Sequence, residues 1–186
     1  MPVLRQPCND LEGSHYIIVP FISYATKRIK LGKGLWESGY GTPIQYATIE
    51  GQLYLVKFIF DAIKIEKPKY TDKDLNPQNF LCRGCTPFHI AVVKGHLHIV
   101  NYFCEQLNRV NCSAKFELAT MTPLHLACWE GHTDIVKTML KAIKSKNPNF
   151  RLDDINPANN YQRTPLQIAI QHGYADIVKY FSTELV

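Results

Sequence analysis

A chain of 186 residues, 46% apolar and 20% charged, is long enough for one ordinary domain and too apolar to be disordered. Its formal net charge of +5 comes without a long basic run, so charge alone draws acidic partners only weakly and gives little support to direct nucleic-acid contact. The six cysteines (Cys8, Cys82, Cys85, Cys104, Cys112, Cys128) lack the spacing of a disulfide framework and, with no secretory signal, read as reduced thiols in the cell, cytoplasmic or nuclear.

From the N-terminus, Tyr16 to Ala25 is an apolar run broken by Pro20 and Ser23, too short to span a bilayer and without a clear cleavage site. Residues 1–35 hold Glu12-Gly13 followed by Ile17-Ile18-Val19, similar to Glu-Gly and Ile-Val pairs further on. Two readings stand for this stretch, a worn repeat and a non-repeat cap or extended segment, because an open end of a stack exposes apolar surface.

Four segments then share one pattern. TPIQYATIEGQLYLVK begins at Thr42, TPFHIAVVKGHLHIVN at Thr86, TPLHLACWEGHTDIVK at Thr122 and TPLQIAIQHGYADIVK at Thr164. Each has Thr-Pro, then Ala, Gly and Val at fixed offsets. Thr suits the N-cap, Pro the first helical position and Gly the left-handed end of a short helix. A second apolar run at helical spacing follows, as in Ile135, Val136, Met139, Leu140 and Ile143. Neither helix is long enough to stand alone, so each pair needs its neighbours.

The spacing between units is uneven. Second helix and exit take ten residues from Val100 to Val110, but nineteen from Val56 to Leu75 and from Val136 to Ile155. The first and third units therefore carry matching insertions, DAIKIEKPKYTDKDLNPQN from Asp61 and KAIKSKNPNFRLDDINPAN from Lys141, which points to duplication of a two-unit block. The insertion is expected to lengthen the second helix by about a turn, until Pro68 or Pro148 stops it. Its cations, Lys64, Lys67, Lys69 and Lys73 in one copy and Lys141, Lys144, Lys146 and Arg151 in the other, read as solvated loops or as a basic ridge. Gly84 sits two residues before Thr86, where a left-handed residue fits a hairpin tip; Thr120 and Gln162 hold that place elsewhere, so those turns are expected to be built differently.

The segments from Thr42, Thr86, Thr122 and Thr164 resemble the ankyrin repeat, with its T-P-L-H-x-A core and period of about 33 residues. The resemblance implies an all-α solenoid of helix-turn-helix units linked by β-hairpin loops, spanning 36–186 with repeats near 36–75, 76–110, 111–155 and 156–186. It also implies that His89 and His125 hydrogen-bond neighbouring backbone and hydroxyl groups, a role Gln45 and Gln167 can still fill. Against that background, Cys82 and Cys85 with nearby histidines make a poor zinc or redox site, because His89 and His96 already have structural places. His125 and Cys128 lie on one helix face, yet both fall on packing positions, so no nucleophile–base pair is expected. No metal, cofactor or catalytic residue is expected.

Binding is expected on the concave face that the resemblance implies, through the last two residues before each turn glycine: Ile49 and Glu50, Val93 and Lys94, Trp129 and Glu130, Gln171 and His172. Tyr40, Arg83, Met121, Tyr161 and Arg163 beside the Thr-Pro pairs join them, and Trp129 is the expected anchor. The charges are mixed, which argues for a protein or peptide partner and against nucleic acid. A basic-surface module for nucleic acid or anionic membrane is the alternative. Apolar Ile177, Val178, Tyr180 and Phe181 close to the C-terminus suggest an array that belongs to a longer repeat protein.

Overall fold

A computed structural model describes residues 42–77, 85–108, 121–147, 149, 151 and 155–184. Among these residues it holds nine helices and no strand: α1 Pro43–Ile49, α2 Leu53–Glu66, α3 Asp72–Leu75, α4 Pro87–Val93, α5 Leu97–Gln106, α6 Pro123–Glu130, α7 Thr133–Lys146, α8 Pro165–Gln171 and α9 Ala175–Glu184. Residues 1–35 and two of the three expected hairpins lie outside the described residues.

The helices stack in two layers. α1, α4, α6 and α8 pack side by side in that order; α2, α5, α7 and α9 form a second row, each against the first helix of its own pair. The sequence pattern explains this layering. Ala47, Ala91, Ala127 and Ala169 are fully buried, because a methyl group lets neighbouring helices approach closely. Phe88 meets Phe103 across the layers with centroids 5.5 Å apart, and Phe60 meets Phe103 along the second row at 5.2 Å; all three rings are buried.

Each first helix starts on its Thr-Pro pair as expected. At α6 the Thr122 amide donates to His125 Nδ1 at 3.1 Å and the Thr122 hydroxyl lies 2.8 Å from the same nitrogen. His125 Nε2 then donates to the Arg163 carbonyl of the next unit at 3.1 Å. Gln45 does both jobs with its amide: Oε1 accepts from Thr42 N at 2.9 Å and Nε2 donates to the Cys85 carbonyl at 3.2 Å. Gln167 accepts from Thr164 N in the same way. The Asn after each insertion supplies a further link. Asn76 Oδ1 accepts from Phe88 N at 2.9 Å and Asn156 Oδ1 from Leu166 N at 3.1 Å, each satisfying an amide in the first turn of the next first helix.

The turn before Thr164 corrects one expectation. Gln162 itself takes the left-handed conformation, φ 58°, where a glycine would be cheaper. Asn159 holds it there: its buried Oδ1 accepts from Tyr161 N at 2.9 Å and Arg163 N at 3.1 Å, and its backbone pairs with Arg163 and Gln162. The side-chain bonds of Asn159 make the turn without glycine.

The insertions lengthen their helices by a turn. α2 and α7 have 14 residues each against 10 in α5, and both stop just before Pro68 and Pro148. The basic side chains do not all point into solvent. Lys64 Nζ donates to Gln106 Oε1, and Lys146 Nζ donates to the Leu107 carbonyl and, at 3.3 Å, to that of Glu105. Lys67 pairs with Asp74 at 2.6 Å. That bond, with those from Thr71, holds the Asp74 carboxyl down at about 2.

Candidate functional site

The exposed edge of the first-helix layer follows from helical spacing. In α6, Leu124, Ala127 and Cys128 are fully buried between neighbouring helices, and the chain then turns Trp129 and Glu130 outward before Gly131. In α4, Ala91 and Val92 are buried and Val93 and Lys94 face out. Trp129 is 45% exposed and Val93 39%, which leaves two apolar side chains of adjacent units on the same outward edge.

The stack itself holds the Trp129 region in place. Gly131 has φ 73°, a left-handed residue at the end of α6. Its missing side chain leaves room for Tyr174 of the next unit, whose ring carbons lie as near as 2.6 Å to where a Cβ would be. The Tyr174 hydroxyl donates to the Trp129 carbonyl at 3.5 Å. Tyr174 stacks on His172, with centroids 5.9 Å apart and planes 7° apart, and His172 meets the Trp129 indole at 4.7 Å. The same device recurs upstream: His132 Nε2 donates to the Val93 carbonyl at 3.4 Å and His96 Nε2 to that of Ile49 at 3.2 Å, each ring over the turn glycine of the preceding unit.

Glu50, Lys94, Glu130, Gln171 and His172 are exposed on this edge, and Ile49 is half-buried. Tyr161, 61% exposed, and Arg163 stand on the turn before α8. Arg163 Nη1 donates to Gln171 Oε1 at 3.0 Å, which brings the guanidinium to the far end of α8, next to His172. Met121 is half-buried and packs on the core, so it offers less surface than the others. Tyr40 and Arg83 lie outside the described residues. Tyr46, exposed on α1, escaped the sequence reading; the signal was there, because the other units carry Ile90, Leu126 and Ile168 at that position.

The histidines and cysteines behind this edge do structural work. Burial holds His89 down at about 4 and lowers His125 as well, so both are neutral near pH 7. Burial pushes the Cys104 thiol up to about 12 and raises that of Cys128 further, which leaves neither as a ready nucleophile. Among the described residues no three His, Cys, Asp or Glu side chains are grouped so as to hold a metal ion. No helix among the described residues is long and apolar enough to cross a membrane.

A search of curated proteins gives no match. A family model described as ankyrin repeats, three copies, matches residues 45–151 and 119–184, which together take in most of the chain and all four helix pairs. With its Thr-Pro-capped helix pairs, buried alanines and turn glycines in register, this chain belongs to the ankyrin repeat family, whose members are generally protein–protein interaction modules.

Proposed function

We propose that this protein is a non-catalytic intracellular scaffold or regulator that holds a partner protein or peptide on the outward edge of α1, α4, α6 and α8. The observation that carries the reading is Trp129. It is a large side chain left half in solvent, yet its backbone carbonyl and its indole are both engaged by the next unit. A rigid aromatic surface of this kind gives up little conformational entropy on binding and offers an apolar face with one donor. The buried cysteines Cys104 and Cys128, neither of them in a disulfide, fit a reducing compartment.

The insertions support the alternative, a basic module for nucleic acid or anionic membrane, less well. Lys64, Lys67 and Lys146 are each engaged by groups of the chain itself. The deciding experiment is affinity capture from a native extract with the wild-type chain and with Trp129→Ala, read by mass spectrometry. Partners retained by wild type and lost by the variant are expected; partners bound equally by both, and released steeply by salt, overturn the reading in favour of the basic surface.

A further inference from the structure

The charges around Trp129 specify more than a generic partner. Lys94 is exposed at the end of α4, one helix to one side of Trp129. Arg163 is exposed on the other side, its guanidinium held at the end of α8 by Gln171 Oε1 at 3.0 Å. Neither cation belongs to an ion pair among the described residues, where the pairs are Lys67 with Asp74 and Lys137 with Asp134. Glu130, exposed beside Trp129, puts a negative charge in the middle of the row. The pattern across α4, α6 and α8 is therefore cation, indole with carboxylate, cation.

Adjacent packed helices lie about 8–10 Å apart axis to axis, which sets the scale of the spacing between the units that carry the two cations and the one that carries the indole. An extended chain rises about 3.3 Å per residue, which makes the distance two or three residues. We propose that this edge receives an extended peptide segment of a partner protein, with an apolar side chain set on Trp129 and an Asp or Glu two or three residues to either side, facing Lys94 and Arg163. Glu130 disfavours a third carboxylate at the centre and accepts a backbone N–H or a basic side chain there. His172, behind the indole at 4.7 Å, keeps the ring from turning away when the apolar residue lands. This inference rests on the binding edge proposed above and adds the chemistry of its occupant.

The test is selection of a random linear peptide library on the full chain, followed by affinity measurement of the selected peptides. Enrichment of an apolar residue flanked on both sides by Asp or Glu is expected. Binding is expected to fall about tenfold or more in Trp129→Ala and several-fold, roughly three to ten, in Lys94→Gln and in Arg163→Gln. A Lys94→Glu, Arg163→Glu variant is expected to prefer the same peptide with lysines in place of its carboxylates, a gain that misfolding cannot produce. Peptides that need Trp129 but carry no flanking carboxylates, or ignore Lys94→Gln and Arg163→Gln, overturn this inference and leave the binding edge standing. Peptides indifferent to Trp129→Ala, or a library that yields no binder, count against both.

Discussion

Acidification from about pH 7 to about pH 5 is expected to weaken the joints between units, and His89 sets the scale. Its imidazole is fully buried, Nδ1 lies 2.7 Å from the Thr86 hydroxyl, and Nε2, with the Met121 carbonyl nearby, has no partner in good hydrogen-bonding geometry. Burial lowers its titration from 6.5 in the free chain to about 4 in the fold. The fold therefore favours the neutral ring. The stability this contributes is fully present above 6.5 and is lost as the pH falls through that value toward 4. The gap corresponds to about 3 kcal/mol in full, of which about 2 kcal/mol disappears between about pH 7 and pH 5. His125 adds to the loss in the same direction, because burial disfavours its charged ring; its Nδ1 is moreover taken up by the Thr122 amide. Asp74, held at about 2, stays ionised throughout and does not confound the window.

The assay is urea unfolding at both pH values, followed by far-UV circular dichroism. The informative variant is His89→Gln with His125→Gln, since Gln45 shows that glutamine can bond both the capping Thr and the next unit without titrating. The double variant is expected to keep most of its neutral-pH stability and to lose much less of it at pH 5. A wild-type protein equally stable at both pH values, or a double variant with the same acid loss as wild type, refutes the reasoning.

Two further outcomes follow from the stack. Gly131→Ala and Gly173→Ala place the same methyl on nearly the same backbone, φ 73° and 75°, but the first meets Tyr174 at 2.6 Å and the second meets nothing within 4 Å. Gly173→Ala is expected to cost about 1 kcal/mol from the left-handed backbone alone, and Gly131→Ala about 2 kcal/mol more, compared by urea midpoint. Lys146→Met keeps the aliphatic stem and removes the donor to the Leu107 and Glu105 carbonyls. A loss of about 1 kcal/mol is expected, with faster amide hydrogen exchange in the last turn of α5.

The residues that could be read in advance are those whose effect is local and repeated. Thr122, Pro123, Ala127 and Gly131 act within one helix, and three other copies of the pattern say which of them matter. Positions whose role depends on the next unit were harder to see. His96, His132 and Tyr174 share a place in the repeat, but nothing in one copy says that the ring lies over a glycine of the copy before it. The place of Gln162 is hidden for a related reason. The left-handed turn was expected to need glycine, and the residue that makes it possible is Asn159, which has to be recognised by its bonds. Trp129 could be singled out as free of the core pattern, but its fixed orientation comes from His172 and Tyr174.

The paired insertions show where length was legible and purpose was not. Proline placement foretold a longer helix in the first and third units, and α2 and α7 are longer. What this accomplishes depends on the unit between them. α5 has no basic residue in its last turn and ends on Leu107 in an extended conformation, so its final carbonyls lack local partners. The overhanging turns of its two neighbours reach this end, one to the carbonyls and the other to the side chain of Gln106. Lys64 reaches Gln106 from one side, Lys146 reaches Leu107 and Glu105 from the other, and Asp72 of α3 accepts from both the backbone and side-chain nitrogen of Asn108 at 3.1 Å. Cations at the negative end of a helix stabilise it, and here they come from adjacent repeats instead of from the helix itself. A long–short–long order makes that possible: if α5 were also a turn longer, its end would stand level with the overhanging turns, and Lys146 would not reach its last carbonyls nor Lys64 its Gln106. The insertions thus act as clamps on the short unit, and the length difference between neighbouring repeats is the feature on which the clamp depends.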